Sequence, residues 1–235
     1  MRVSQTDSLG TDQLVKCAIQ TRLDLLNNDS GREEDDRPFF VADLGEVTRQ
    51  HQRWIRNLPT FKPFYGIITS SLPKDLLKQR RLMSSKAVKC NADMRLLRHL
   101  AEAGTGFDCA SIHEMQLVRS LGVDSSRIIL ANPCKAASVL CAARDMGVNQ
   151  MVYDNIDELD SIKRFSPNAQ LFLRIHADDE GALIHFGDKF GAPLEIAPAL
   201  LERAWTLRLQ VIGISFHVGV LTPSPRFLWT TRIRD

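Results

Sequence analysis

The stretch GFDCASIHEMQLVRSLGVDSSRIILANPCKAASVLCAARDMGVNQMVYD, residues 106–154, decides the fold. It holds three short apolar runs, at 106–110, 127–131 and 150–154. Two amphipathic segments of about ten residues, 112–121 and 136–146, lie between them. Strand, helix, strand, helix at this spacing is the signature of βαβ units on a parallel sheet. The runs are apolar throughout and do not alternate, as strands covered on both faces do in a barrel or a doubly wound sheet.

The alternation continues outward. Further runs are expected at 39–44, 170–175 and 211–218, and further helices at 46–57, 94–103, 155–165 and 198–207. Gly104, Gly122 and Gly147 fall just after helices, where a C-terminal cap wants them. Residues 1–37 read as a polar, mostly exposed lead-in with one helical possibility at 12–26.

Composition bounds the function. The 235 residues are 44% hydrophobic and 25% charged, which are globular proportions. A net charge of +2 is too small to imply a nucleic-acid partner. The basic excess is concentrated: residues 66–86 hold five Lys/Arg against one Asp, and residues 220–235 hold three Arg against one Asp. The five cysteines, Cys17, Cys90, Cys109, Cys134 and Cys141, show no C-x-x-C spacing. They read as reduced thiols in a cytosolic protein, without a structural zinc site. Residues 1–10 lack the apolar core of a secretory signal, and no run is long enough to span a membrane.

Chemistry on a parallel sheet gathers at the C-terminal ends of its strands. Those ends read Lys89-Cys90-Asn91, Asp108-Cys109-Ala110-Ser111, Asn132-Pro133-Cys134-Lys135, Arg174-Ile175-His176 and His217-Val218-Gly219. Each alone has a plain structural reading: a surface lysine, a helix-capping aspartate, a core histidine. Five on one rim point to a site.

These residues form specific motifs. Pro63-Phe64-Tyr65, Ala87-Val88-Lys89-Cys90-Asn91, Gly104 to Ser111, Ala131 to Lys135, Lys189-Phe190-Gly191-Ala192 and Ser215 to Gly219 together resemble the eukaryotic ornithine decarboxylase family. The NPCK and GTGFDCAS stretches separate it from the bacterial diaminopimelate decarboxylase pattern. The resemblance covers residues 38–219. It implies an α/β fold: a partial pyridoxal-phosphate-binding TIM-type (β/α) barrel with about six of eight strands, lacking the family's C-terminal β domain. It implies a cytoplasmic, homodimeric carboxy-lyase of polyamine biosynthesis, which converts L-ornithine to putrescine with pyridoxal 5'-phosphate and no metal. Antizyme is a possible protein partner. The alternatives are an antizyme-inhibitor-like regulatory pseudoenzyme, or a decarboxylase or racemase of the same fold for another amino acid.

The resemblance also assigns roles. Lys89 corresponds to the lysine that forms the Schiff base with the cofactor aldehyde, which needs an amine of lowered pKa. Asp108 corresponds to the acid orienting that amine, His217 to the imidazole stacked on the pyridine ring, and Arg174 to a donor lining the site. Glu114 corresponds to a supporting carboxylate, and Lys189 to a loop and dimer contact.

Two departures stand against the match. The family runs from PFY directly into AVKCN, whereas here the 21 residues 66–86 intervene in what reads as one strand. A basic lid is the functional account of this insert, and an unspliced or misassembled coding stretch is the plainer one. After Gly219 the family continues with a serine, but position 220 is Val, and residues 220–235 read as a non-family tail. The phosphate loop, the glutamate on the ring nitrogen and the substrate-gripping residues have no counterpart. The expectation is an open barrel with two unpaired edges and little activity in this chain alone.

Overall fold

The structure, a computed structural model, describes residues 11–28, 39, 41–66, 91–177 and 190–217. The chain divides into two compact units, Met1–Pro59 and Thr60–Asp235.

The first unit contributes two helices, α1 (Thr11–Asn28) and α2 (Leu44–Asn57). The expected strand at 39–44 does not form. Phe39 and residues 41–43 are outside any regular element, and Leu44 opens α2. Asp43 decides this, because its carboxylate accepts from the Gly45 N–H at 2.8 Å and caps the helix. Arg49 reinforces the cap by pairing with Asp43 and with Glu46, each at 2.8 Å.

The second unit is built on six parallel strands in sequence order: β1 (Phe64–Gly66), β2 (Gly106–Cys109), β3 (Ile128–Leu130), β4 (Gln150–Tyr153), β5 (Gln170–Arg174) and β6 (Gln210–Ser215). The returning helices are α3 (Met94–Glu102), α4 (Ile112–Ser120), α5 (Ala137–Asp145), α6 (Ile156–Phe165) and α7 (Ala197–Thr206). The three glycines expected as C-caps, Gly104, Gly122 and Gly147, all take positive φ. Strand β1 falls on the Pro63-Phe64-Tyr65 motif, the first part of what reads as one strand divided by the insert. The insert after it and the tail at 220–235 lie outside the described residues, apart from Gly66, which ends β1. Among the described residues no strand pairs on the outer side of β1 or β6.

The register separates two faces. Asp108 pairs with Ile129, Ile129 with Gln150, Val152 with Phe172, and Arg174 with Ser215. Residues paired in this way, or two apart along a strand, share a face. The opposite face holds Phe107, Leu130, Met151, Tyr153, Leu171 and Leu173, all buried. The helices cover it with stripes at helical spacing, such as Met115 and Val118 of α4 or Leu159 and Ile162 of α6.

Tyr153 is an exception to the apolar content of that core. It is 0% exposed, and among the described residues its hydroxyl has no hydrogen-bond partner. Burial pushes its pKa up to about 12. Removing a buried unsatisfied hydroxyl relieves a desolvation cost of about 1–3 kcal/mol. Tyr153→Phe is therefore expected to equal or exceed the wild type in urea-melt stability at pH 7. The native phenol keeps its proton through the range in which the unfolded phenol loses it. Stability should thus be lost as pH rises from 10 towards 12. Tyr153→Phe should flatten that loss, and an unchanged alkaline slope contradicts the assignment.

Candidate functional site

In a parallel sheet all strands end on the same rim, so the ends of β2 to β6 bring their residues to one edge. Asp108 of β2 and Arg174 of β5 lie on the face away from the helices. Both are half-buried. Burial pushes the Arg174 guanidinium down from the ordinary arginine value, and the negative charges of Asp154 and Asp108 oppose that shift. The Arg174 guanidinium also lies over the Phe190 ring, 5.2 Å from its centroid. His217 follows β6 at the same rim and is exposed.

Glu114 is buried and turned back towards the strand end. Its Oε2 accepts from the Ala110 N–H, and the Ser111 hydroxyl accepts from the Glu114 N–H at 3.3 Å. Ser111, and not Asp108, caps α4. Glu114 thus holds the turn that follows Asp108, a structural support of the rim. Lys89 and Lys189 lie outside the described residues. The nearest described point after Lys89 is Asn91, whose carbonyl accepts from the Tyr65 hydroxyl at 3.0 Å and is so tied to β1.

Lys135, the last residue of the NPCK motif, is deeply buried, with none of its side chain exposed. Its ammonium donates to the Asn132 carbonyl at 3.0 Å and to the Val152 carbonyl at 2.7 Å. It pairs with Glu158 Oε1 at 2.6 Å, while Glu158 Oε2 accepts from the Lys135 N–H at 3.2 Å. Burial pushes the ammonium down from the usual lysine value, and Glu158 opposes that shift. A fully engaged lysine of this kind fastens the β3 turn to β4 and α6. It has no room to act as a nucleophile. The neighbouring Cys134 thiol is pushed up by burial and by the Asp154 and Glu158 charges.

Two participants escaped the sequence reading. Asp154 directly follows β4, and its Oδ2 accepts from the Gly191 N–H at 2.9 Å. Phe190 belongs to the KFG motif, but its place over Arg174 depends on a tertiary contact. The signal for Asp154 was present: an acid closes an apolar run and is followed by Asn155, which caps α6. Among the described residues no cluster of three or more His, Cys, Asp or Glu side chains could hold a metal ion. None of the described helices is long and apolar enough to cross a membrane. A groove of about 640 Å³ lined by Trp205, Arg208 and Gln210 lies at the start of β6, the end of that strand away from the rim.

Comparison with known proteins gives a consistent result. Residues 44–222 match the family profile described as "Pyridoxal-dependent decarboxylase, pyridoxal binding domain". The chain is 47% identical over 207 residues to the ornithine decarboxylase of Neurospora crassa, covering 88% of this chain and 38% of that protein. It is 44% identical over 192 residues to antizyme inhibitor 2 of Xenopus laevis, covering 82% of this chain and 38% of that one. Its fold is similar to the arginine decarboxylase of Paramecium bursaria Chlorella virus, with TM-score 0.75, 32% identity, and coverage of 91% of this chain and 50% of that one. The chain thus spans well under half the length of these curated relatives.

The Lys135–Glu158 pair generates a test. Removing one partner of a buried ion pair strands the other charge and costs about 3–5 kcal/mol. Glu158→Ala is expected to lose that much in a urea melt. Replacing both charges, Lys135→Met with Glu158→Leu, is expected to recover most of it. A Glu158→Ala variant that melts like the wild type contradicts the geometry.

Proposed function

The chain belongs to the pyridoxal-dependent decarboxylases, and we propose that it is the pyridoxal-binding half of an ornithine decarboxylase site. The observation that supports this best is the placement of Asp108 and Arg174 on one open face at the strand ends. An acid and a half-buried guanidinium suit a cofactor that presents a cationic nitrogen together with anionic oxygens. The described residues therefore fit pyridoxal phosphate at the rim.

Each residue then has a task. Asp108 would hold and orient the Lys89 amine, accepting a hydrogen bond from it. Arg174 donates to an anionic oxygen. His217 would lie against the cofactor ring. Glu114 keeps the turn after Asp108 rigid. When bound, the cofactor supplies the electron sink for the carbanion left by carbon dioxide. Lys189 contributes a loop or dimer contact. Ornithine is the substrate we favour, with putrescine as product, because several of the curated relatives are ornithine decarboxylases. We extend this to a cytoplasmic homodimer in polyamine biosynthesis.

The similarity to antizyme inhibitor 2 favours one further reading, a regulatory chain that binds antizyme and does not turn over. Cofactor binding separates the two. Titration with pyridoxal phosphate is expected to give a visible absorbance band, and borohydride reduction followed by peptide mapping is expected to label Lys89. Label on Lys135 contradicts the site assignment, and no band at all favours the regulatory reading. The chain at this length is expected to release little carbon dioxide from ornithine by itself. Turnover near the rate of a full-length relative, alone or mixed with a full-length subunit lacking its own cofactor lysine, contradicts that expectation.

A further inference from the structure

Arg174 is gripped by a segment that is not its neighbour in sequence. Its carbonyl accepts from the Ala192 N–H at 2.8 Å, and Ala192 in turn accepts from the His176 N–H at 2.8 Å. The bridge between Ile175 and Ala192 extends the sheet by one parallel step beyond β5. Within the same short segment, the Phe190 ring covers the Arg174 guanidinium. Backbone and side chain of Arg174 are thus both held by residues 190–192.

Those three residues are fastened to β4 by Asp154. Gly191, which lies between the two contacts, donates its N–H to Asp154 Oδ2 at 2.9 Å. Its φ of +105° suits glycine alone, and a Cβ there would meet Ile175 O and His176 N at 2.8 Å. The segment therefore passes hard against the strand end, and no side chain of its own can secure it at that point. The other Asp154 oxygen accepts from Asn155 Nδ2 at 2.9 Å. Asn155 Oδ1 accepts from the Glu158 N–H at 2.9 Å. Capping uses the Asn155 oxygen and leaves its amide nitrogen to donate, so the Asp154 carboxylate is oriented from the α6 side. Glu158 is the partner of the buried Lys135. A continuous set of contacts runs from that ion pair through the α6 cap to the segment over Arg174.

We propose that Asp154 is a positioning residue: it fastens Gly191 to the end of β4, and so keeps Phe190 over the Arg174 guanidinium and that guanidinium on the open face beside Asp108. The proposal deepens the cofactor-site reading, and only its cofactor arm rests on that reading. Asp154 need not touch the cofactor. Its contribution is to remove freedom from a long cationic side chain before any anion arrives, which lowers the ordering cost of binding.

The test uses the whole chain with Asp154→Ala, Asp154→Asn and Phe190→Leu, and two readouts. The first is the rate at which phenylglyoxal modifies Arg174 in the cofactor-free protein, read by peptide mapping. The second is pyridoxal phosphate affinity, read from the visible band. Losing the aromatic cover is expected to speed modification of Arg174 about threefold to fivefold in Asp154→Ala and in Phe190→Leu. Losing a hydrogen bond to a charged acceptor is expected to weaken cofactor binding about tenfold or more in Asp154→Ala. Asp154→Asn keeps an oxygen for Gly191 but sets its amide nitrogen against Asn155 Nδ2, so it should be impaired clearly less than Asp154→Ala in both readouts. Three results overturn the proposal: an unchanged Arg174 rate in Asp154→Ala, an unchanged rate in Phe190→Leu, or Asp154→Asn as impaired as Asp154→Ala. The last would mean that Asp154 acts by its charge alone. Should Asp154→Ala fail to fold, the Phe190→Leu and Asp154→Asn rates decide by the same criteria. A wild type that shows no visible band defeats the cofactor reading, while the phenylglyoxal rates still decide the role of Asp154.

Discussion

A parallel sheet obliges the chain to return to the same starting edge before each new strand. Here every described return from β2 to β6 is made through a helix on one side of the sheet. Helix packing buries one face completely, and the other is left half-covered. The strand ends then collect on one rim, and along each strand alternate residues turn towards the helices and towards the open face. Asp108 and Arg174 are separated by 66 positions in the chain, yet this constraint alone sets them on the same face. A one-residue slip in any strand would turn its rim residue into the core.

The rim is also stiffened from below. An ammonium taken out of water needs every one of its donors engaged, and Lys135 meets that demand with two carbonyls and a carboxylate. The three partners come from the β3 turn, β4 and α6, so satisfying one charge locks three elements together. Glu158 then presents its backbone to Asn155, and Asn155 presents its amide to Asp154. Whether such a buried pair adds net stability depends on desolvation. Its geometric consequence is clearer, because it allows only one arrangement of the NPCK turn.

Much of this was legible before any coordinates. The helices expected at 94–103, 112–121, 136–146, 155–165 and 198–207 form within a residue or two of those bounds, because amphipathic spacing and capping residues are local signals. The strands from β2 to β6 were legible as apolar runs for the same reason. The run at 39–44 misled because its apolar content was read without the cap that Asp43 provides for α2. Strand β1 was legible only through the Pro63-Phe64-Tyr65 motif, because three residues offer no period to detect.

The sequence by itself determined the βαβ order, the rim composition and the motifs of the family, since each depends on residues close together in the chain. It could not determine which rim residues meet. That Lys135 is buried and fully engaged, that Glu114 braces a turn, and that Phe190 covers Arg174 under the hold of Asp154 are contacts between distant segments. Tertiary structure decided them, because strand register and helix packing fix the distances between segments, and no local pattern encodes those distances.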